Sequence, residues 1–177
     1  MEIELLAAGF GGQGVMIIGQ LIAAAGVAEN KYALFYPSYG PAMRGGTANC
    51  TVITSDQPIG SPVLVAHQNV LVMNLPSFDK FEKMVEPGGT LFVNSSLIEK
   101  KSERKDIKIH YIPSNDIAMQ AGSNLAANIV VLGAFLKATS FVKKETLEKV
   151  ILEKFEKKGQ KVIDINIKAL NAGYAIP

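Results

Sequence analysis

The sequence predicts an α/β fold: a doubly wound, mostly parallel sheet flanked by helices, forming a single domain over residues 1–177. Three observations predict it. Residues 2–8 open with alternation at Glu2, Ile3, Glu4 and Leu5, then turn continuously apolar, as a strand does inside a sheet covered on both faces. The glycine cluster Gly9-Phe10-Gly11-Gly12-Gln13-Gly14 follows at once. Apolar residues then recur at helical spacing at Val15, Ile18, Ile22 and Ala25, before a second strand-like segment at 32–36. Strand, glycine turn, helix and strand in that order make the βαβ unit of such sheets.

The remaining elements follow in order. Pro37 is expected to stop the second strand, and residues 38–46, rich in glycine and containing Pro41, read as a loop. Residues 47–54 alternate with β-branched side chains and form a strand, closed by the turn Ser55-Asp56-Gln57-Pro58. A buried strand is predicted at 70–74, a helix at 77–85, a turn at 86–89 and a strand at 90–94. Residues 98–106 form a charged excursion, 107–112 a short strand and 116–121 a helix. Residues 125–137 are apolar almost all round and predict a central buried helix. An amphipathic helix over 145–158 carries Leu147, Val150, Ile151 and Phe155 on one face, and a last helix covers 165–172.

Composition narrows the function. The chain of 177 residues is 48% hydrophobic and 19% charged, which suits a folded globule with a real core. A mean hydropathy of +0.20 lies on the apolar side and fits a chain that hides surface against partners. A formal net charge of +2, with bases and acids interleaved, gives no basic face for nucleic acid. Cys50 is alone and closes no intrachain disulfide. The first residues carry acids where a secretory signal carries positive charge. The longest apolar segment, 125–136, is interrupted by Asn128 and is too short to span a bilayer. A cytoplasmic protein with no membrane contact is expected.

Gly9-x-Gly11-x-x-Gly14 has dinucleotide-binding spacing and sits between strand and helix. A helix N-terminus there offers unpaired N–H groups and a partial positive charge to an anion. The second strand ends Leu34-Phe35-Tyr36-Pro37-Ser38 without the carboxylate that binds nicotinamide-cofactor ribose, and Glu29 falls before it, on the first helix. A GxxxxGK[ST] loop is absent from the sequence. An anion site and a turn that only permits close packing therefore stay open side by side.

The second block is Tyr39-Gly40-Pro41-Ala42-Met43-Arg44-Gly45-Gly46-Thr47-Ala48-Asn49-Cys50, where one Arg stands beside glycines whose N–H groups can form an anion nest. Pairing of Arg44 with a carboxylate of its own domain is the competing reading. Together with the first glycine cluster, this block resembles the gamma subunit of the 2-oxoacid:ferredoxin oxidoreductases. The likeness continues through Ile59-Gly60-Ser61-Pro62, through residues 87–96 and through residues 127–135, in the same order and spacing. Ala42 departs from the family pattern, in which many members carry Glu after the proline.

The resemblance implies an enzyme that oxidatively decarboxylates a 2-oxoacid on thiamine diphosphate. Acyl-coenzyme A is formed and electrons pass through iron–sulfur clusters to ferredoxin. It implies a heterooligomer of anaerobic metabolism in which thiamine diphosphate, magnesium and the clusters belong to partner subunits. This sequence has one cysteine, where cluster ligation needs several, and lacks the GDG block that holds magnesium–diphosphate. The chain alone is therefore expected to bind no redox cofactor firmly, to hold no catalytic or metal-ligating residue, and to be inactive. Coenzyme A enters as co-substrate, and Gly11, Gly12, Gln13, Gly14 and Arg44 are expected to form its phosphate site, all at one edge of the sheet. Residues 39–46, with Tyr39, Met43 and Arg44, are expected to contact partner subunits. The SYGPxMRGGTANC block favours 2-oxoglutarate over pyruvate as the oxoacid. The alternative is a stand-alone nucleotide- or flavin-binding α/β protein.

Other residues carry less. His67 and His110 have no acid or thiol at metal-ligand spacing, and no Gly-x-Ser-x-Gly elbow occurs. Cys50 reads as a small buried hydrophobe. Asn128, a polar amide in an apolar helix, needs a partner and is expected to brace one of the glycine blocks. Lys100, Lys101, Arg104 and Lys105 read as solvated surface.

Overall fold

The computed structural model describes residues 2–39, 47–61 and 64–176. The first strand, β1 (Glu2–Phe10), leads into α1 (Val15–Ala28), β2 (Tyr32–Tyr39), β3 (Thr47–Ser55) and β4 (His67–Val72). Then come α2 (Leu75–Phe81), β5 (Val85–Asn94), β6 (Lys108–Ile112), α3 (Ser114–Ala121), α4 (Ala127–Thr139), α5 (Lys144–Phe155) and α6 (Gln160–Tyr174).

The six strands form one sheet in the order β2-β3-β1-β4-β5-β6. β1, β4, β5 and β6 pair in parallel, while β3 runs antiparallel to both β1 and β2. β3 is therefore wedged between the two strands of the predicted βαβ unit, which are parallel but not adjacent. Pro37 does not stop β2, which runs on to Tyr39. β2 lies at the sheet edge, where a residue without an N–H breaks no ladder on its outer side. The turn expected at 86–89 is instead built into β5, whose pairing with β4 shifts register between His67 and Asn69.

Alternation along β1 divides the core. Leu5 and Ala7 face the layer made by α1, α4, α5 and α6, while Leu6 and Ala8 face α2 with Phe78, Phe81 and Ile98. Each fully buried Leu or Phe on these faces stabilises by about 1.5–3 kcal/mol through lost apolar exposure. α1 ends with Asn30 at φ 58, and the N–H of Lys31 closes onto Gly26 O at 3.0 Å.

The predicted central helix is α4, buried from Ala127 through Leu136 and preceded by a tight 3-10 turn at Asn124–Ala126. Its close partner is α6, longer at both ends than the 165–172 expected, and the two backbones touch at glycines. A Cβ on Gly173 would lie 1.9 Å from Val130 O, and one on Gly133 would lie 2.3 Å from Leu170 O. Glu29, expected on the first helix, sits just past its end as the residue that closes α1. Its carboxylate accepts from Lys143 N and Thr146 Oγ1, both at 2.7 Å, which fastens the start of α5 and removes it from any ligand role.

Of the charged groups read as surface, Lys100 and Lys101 are exposed as expected, while Arg104 is an anchor. Arg104 donates to both Asp106 oxygens and to the carbonyls of Glu82 and Val85, tying the charged excursion to the start of β5. The Asp106 carboxyl is held below its ordinary range by the Arg104 hydrogen bond. Lys100 pairs with Asp79 at 2.6 Å, and the Lys101 ammonium lies 3.8 Å from the Tyr111 ring centre. At the opposite edge of the sheet from the glycine turn, buried His67 Nδ1 meets Glu4 Oε1. Glu4 Oε2 accepts from Gln68 N at 2.9 Å. No helix among the described residues is long and apolar enough to cross a membrane.

Candidate functional site

The candidate site lies where β1, β4, β5 and β6 all end. An apolar strand delivers the chain to this edge, and the glycines let it turn sharply into α1. Gly12 (φ 95) and Gly14 (φ 77) both take the left-handed backbone that side chains disfavour. Gly14 is the residue before the first turn of α1, and no side chain among the described residues caps that helix. First-turn N–H groups of a helix have no partner within it, so this end is open to an acceptor.

Gln13 holds the turn in shape. Its Oε1 accepts from Phe10 N at 2.7 Å and from Asn74 Nδ2 at 3.0 Å, and its Nε2 donates to Met73 O at 3.1 Å. Its own N–H donates to Phe10 O at 3.1 Å. Gln13 thus ties the end of β1 to the end of β4, with its carboxamide committed inside the protein. Asn74 in turn accepts from Ser77 N at 2.9 Å and starts α2.

The same chemistry continues across the sheet edge. Asn94, at the end of β5, donates to Asn115 Oδ1 at 2.7 Å, and Asn115 donates to Asn124 Oδ1 at 2.7 Å. Ser96 Oγ accepts from the N–H groups of Asn115 and Asp116 at 3.1 and 3.3 Å, and donates to Asp116 Oδ2 at 2.8 Å. The start of α3 is thereby plugged, whereas the start of α1 is not. Carboxamides and the Asp116 carboxylate line this rim, and the backbone of the glycine turn lies exposed beside them.

Beside the turn is a cavity of about 370 Å³. Gly12, Gly14 and Ile17 form one wall, Ser123, Leu125, Ala126 and Asn128 a second, and Phe155, Lys158, Val162, Ile165 and Asn166 a third. Asn128 braces the turn as expected, donating from Nδ2 to Gly14 O at 3.2 Å. Lys158, Phe155 and Asn166 were not singled out as site residues. They lie some 140 positions after the turn, and only the packing of α5 and α6 brings them near.

Of the predicted site residues, the structure brings Gly11, Gly12, Gln13 and Gly14 together in one exposed turn at the sheet edge. Arg44 lies outside the described residues, as do positions 40–43 and 45–46 of the second glycine block. Cys50 is fully buried against α1, where its Sγ donates to Val15 O at 3.4 Å, and burial pushes its thiol up to about 12. It takes no part in the site.

Comparison with known proteins adds to this geometry. The profile of the pyruvate ferredoxin/flavodoxin oxidoreductase family matches residues 4–176. The 2-oxoglutarate synthase subunit KorC of Methanocaldococcus jannaschii is 33% identical over 179 residues, with 99% of this chain and 94% of KorC covered. The ketoisovalerate oxidoreductase subunit VorA of Methanothermobacter marburgensis is 34% identical over 173 residues, covering 97% of this chain and 36% of VorA. The chain thus spans about a third of that relative's length and nearly the whole of KorC.

Among solved structures, the gamma subunit of a keto/oxoacid ferredoxin oxidoreductase from Geobacter sulfurreducens superposes with a TM-score of 0.86 at 31% identity. It covers 98% of this chain and 95% of the other. The 2-oxoglutarate:ferredoxin oxidoreductase of Magnetococcus marinus, solved with 2-oxoglutarate, coenzyme A and succinyl-CoA bound, shares the fold with a TM-score of 0.91 at 23% identity. This chain covers 30% of that one, and 98% of this chain is matched.

Proposed function

The chain belongs to the pyruvate ferredoxin/flavodoxin oxidoreductase family, and on that premise we propose that it is the gamma subunit of a multi-subunit 2-oxoacid:ferredoxin oxidoreductase. It is inactive alone and helps hold the phosphates of coenzyme A. The observation that carries the coenzyme A part is the uncapped start of α1, exposed at the glycine turn beside a cavity, on a sheet edge where the starts of α2 and α3 are plugged. Gly11, Gly12 and Gly14 supply backbone N–H groups, Gln13 fixes the turn, and Arg44 adds the guanidinium.

The chemistry is assigned to partners: thiamine diphosphate with magnesium on one subunit, iron–sulfur clusters on another, and ferredoxin as acceptor of the assembled complex. The single cysteine supports this, since Cys50 is buried and its thiol stays protonated. The near full-length match to KorC supports 2-oxoglutarate as the oxoacid. Residues 39–46 are assigned to the contact with the other subunits. The place of action is the cytoplasm.

The test is an assembled complex carrying Arg44→Ala or Gly12→Val. A Cβ at Gly12 meets nothing within 4 Å, so a valine there strikes no neighbour, but at φ 95 it also strains the turn, and assembly of the variant complex is verified first. Both variants should raise the KM for coenzyme A by roughly one to two powers of ten and leave the KM for the oxoacid unchanged. Unchanged coenzyme A kinetics in both would overturn the phosphate assignment. Oxoacid-dependent dye reduction by the purified chain alone would overturn the subunit reading.

A further inference from the structure

One long stretch of the chain carries almost no charge. The protein has 18 Lys and Arg and 16 Asp and Glu, yet from Leu5 to Ser55 the charged residues are Glu29, Lys31 and Arg44. Glu29 is committed to the start of α5, and Lys31 pairs with Asp56 at 3.6 Å. All of α1 and all of β2 are uncharged, whereas α5 is rich in lysine and glutamate. This part of the chain is not hidden. β2 is an end strand of the sheet, and no described strand pairs with its outer side. Ala33 and Phe35 face Gly26 and Gly19 of α1, so Tyr32 and Tyr36, which alternate with them, lie on the other face of the sheet. Tyr32 is 53% exposed and Tyr36 49%. On α1, Met16, Gln20, Ala23 and Val27 fall at helical spacing along one strip, with Val27 61% exposed. The strip adjoins Gly19 and Gly26, the residues that meet β2 and β3. Lys154 of α5 borders it, donating to Gln20 Oε1 at 2.7 Å.

Edge strands that face water are guarded by lysines, bulges or prolines, and of these devices β2 has Pro37 alone. Few charges, with Tyr and Met present, is the makeup of the core of a protein interface. We propose that this flank, the outer edge of β2 with the adjoining strip of α1, docks the thiamine diphosphate-binding subunit. This rests on the reading of the chain as a gamma subunit, and three features select the occupant. β2 leads directly in sequence into residues 40–46, part of the segment assigned to subunit contact. VorA continues for well over half its length beyond the region that matches this chain, and a large permanent neighbour suits an edge that is never bared to water. Position chooses among the subunits. α1 starts and β2 ends at the sheet edge that carries the glycine turn, with Tyr39 and Gly9 both level with Ala48. The acyl group that coenzyme A takes up is formed on thiamine, so the subunit docked along this flank stands next to the proposed coenzyme A seat.

The probe is the purified thiamine diphosphate-binding subunits of the same source, titrated with the full chain and followed by biolayer interferometry. Val27→Glu and Tyr36→Glu should each weaken binding at least about tenfold, because each puts a charge into a contact without water. Val27→Leu and Tyr36→Phe should bind as the parent does. So should Met119→Glu, a control on α3, which follows the strand at the other end of the sheet. Circular dichroism and unfolding midpoints check that the charged variants are folded. Hydrogen exchange of the parent chain gives a reading that needs no variant: amides of β2 should exchange more slowly once the thiamine-binding subunits are added. Unchanged binding of both charged variants, or unchanged exchange in β2, would overturn the docking face while the subunit reading stands. No binding of the parent chain to those subunits would overturn both. A dimer of the isolated chain that Val27→Glu dissolves would make a second copy the occupant and overturn the assignment. A loss in Met119→Glu as large as in Val27→Glu would overturn it as well.

Discussion

Asn128 and Gly14, 114 positions apart in sequence, are fitted to one another: the amide donates to the glycine carbonyl at 3.2 Å, and a Cβ on the glycine would lie 2.3 Å from that same nitrogen. The first turn of the central helix is thus keyed to the turn that begins α1. This contact lets a buried helix set the shape of an exposed loop.

Asn128→Ala should cost about 0.5–1.5 kcal/mol, since Gly14 O loses one of its two donors and keeps Ile18 N–H at 3.1 Å. Gly14→Ala should cost at least as much, because it adds a clash to a left-handed backbone. The double variant should be more stable than the sum of the two, because removing the Asn128 amide removes the obstacle. Urea unfolding midpoints of the four proteins check this, and strict additivity would contradict it.

The contact between α4 and α6 leaves no room for a methyl group. Gly173→Ala should destabilise by about 1–3 kcal/mol or more through overpacking against Val130 O. Gly159→Ala, at φ 88 but with open space around it, should cost only its backbone strain. Thermal unfolding of the two variants should rank Gly173→Ala as the less stable.

Cys50 should be silent to alkylation in the folded chain at pH 8 and react only when denaturant opens the sheet. Burial raises its thiol from an ordinary 9.0 to about 12. In the unfolded chain the thiol ionises from about pH 9, while in the fold it keeps its proton until about 12. The folded state binds more protons across that window, so the stability this group contributes is full below pH 9 and is lost as pH rises towards 12. Iodoacetamide labelling against denaturant, and unfolding midpoints between pH 8 and 11, read both effects. Cys50→Ala should flatten the thiol's share of the pH dependence.

Glu4→Ala should cost about 1–3 kcal/mol for each group it strands, the His67 ring and Gln68 N–H, inside the sheet edge. Glu4→Gln, which keeps an acceptor oxygen, should recover much of that loss. Equal unfolding midpoints for the two variants would show that the carboxylate does not hold this edge.

What the sequence shows and what it hides follows from the range of each interaction. The run from Leu5 to Ala8, the glycines and the helical spacing from Val15 onward are local, and β1, the turn and α1 stand where expected. Asn128 was legible because a polar group in an apolar helix must have a partner. The insertion of β3 between β1 and β2 was not, since strand order depends on pairing between distant segments. Pro37 was misleading because only the neighbour a strand lacks makes a proline tolerable in it. Gln13 looked like a ligand contact from its place in the motif, but its acceptors and donors are met by Phe10, Met73 and Asn74. Lys158 and Asn166 sit on ordinary amphipathic segments, and no local pattern marks them as lining a cavity with Gly12.

The close fit of α4 to α6 also bears on the order in which the chain is made. α4 is apolar almost all round, yet the helix that covers its outer face leaves the ribosome after every strand of the sheet. Until Gly173 has emerged, Val130 and its neighbours have no dry partner, and the growing chain carries a sticky helix with nowhere to dock. Helix α6 therefore acts as the latch of biosynthesis. A chain cut before residue 160 should be found with chaperones or in inclusion bodies, even though every strand of its sheet has already been translated.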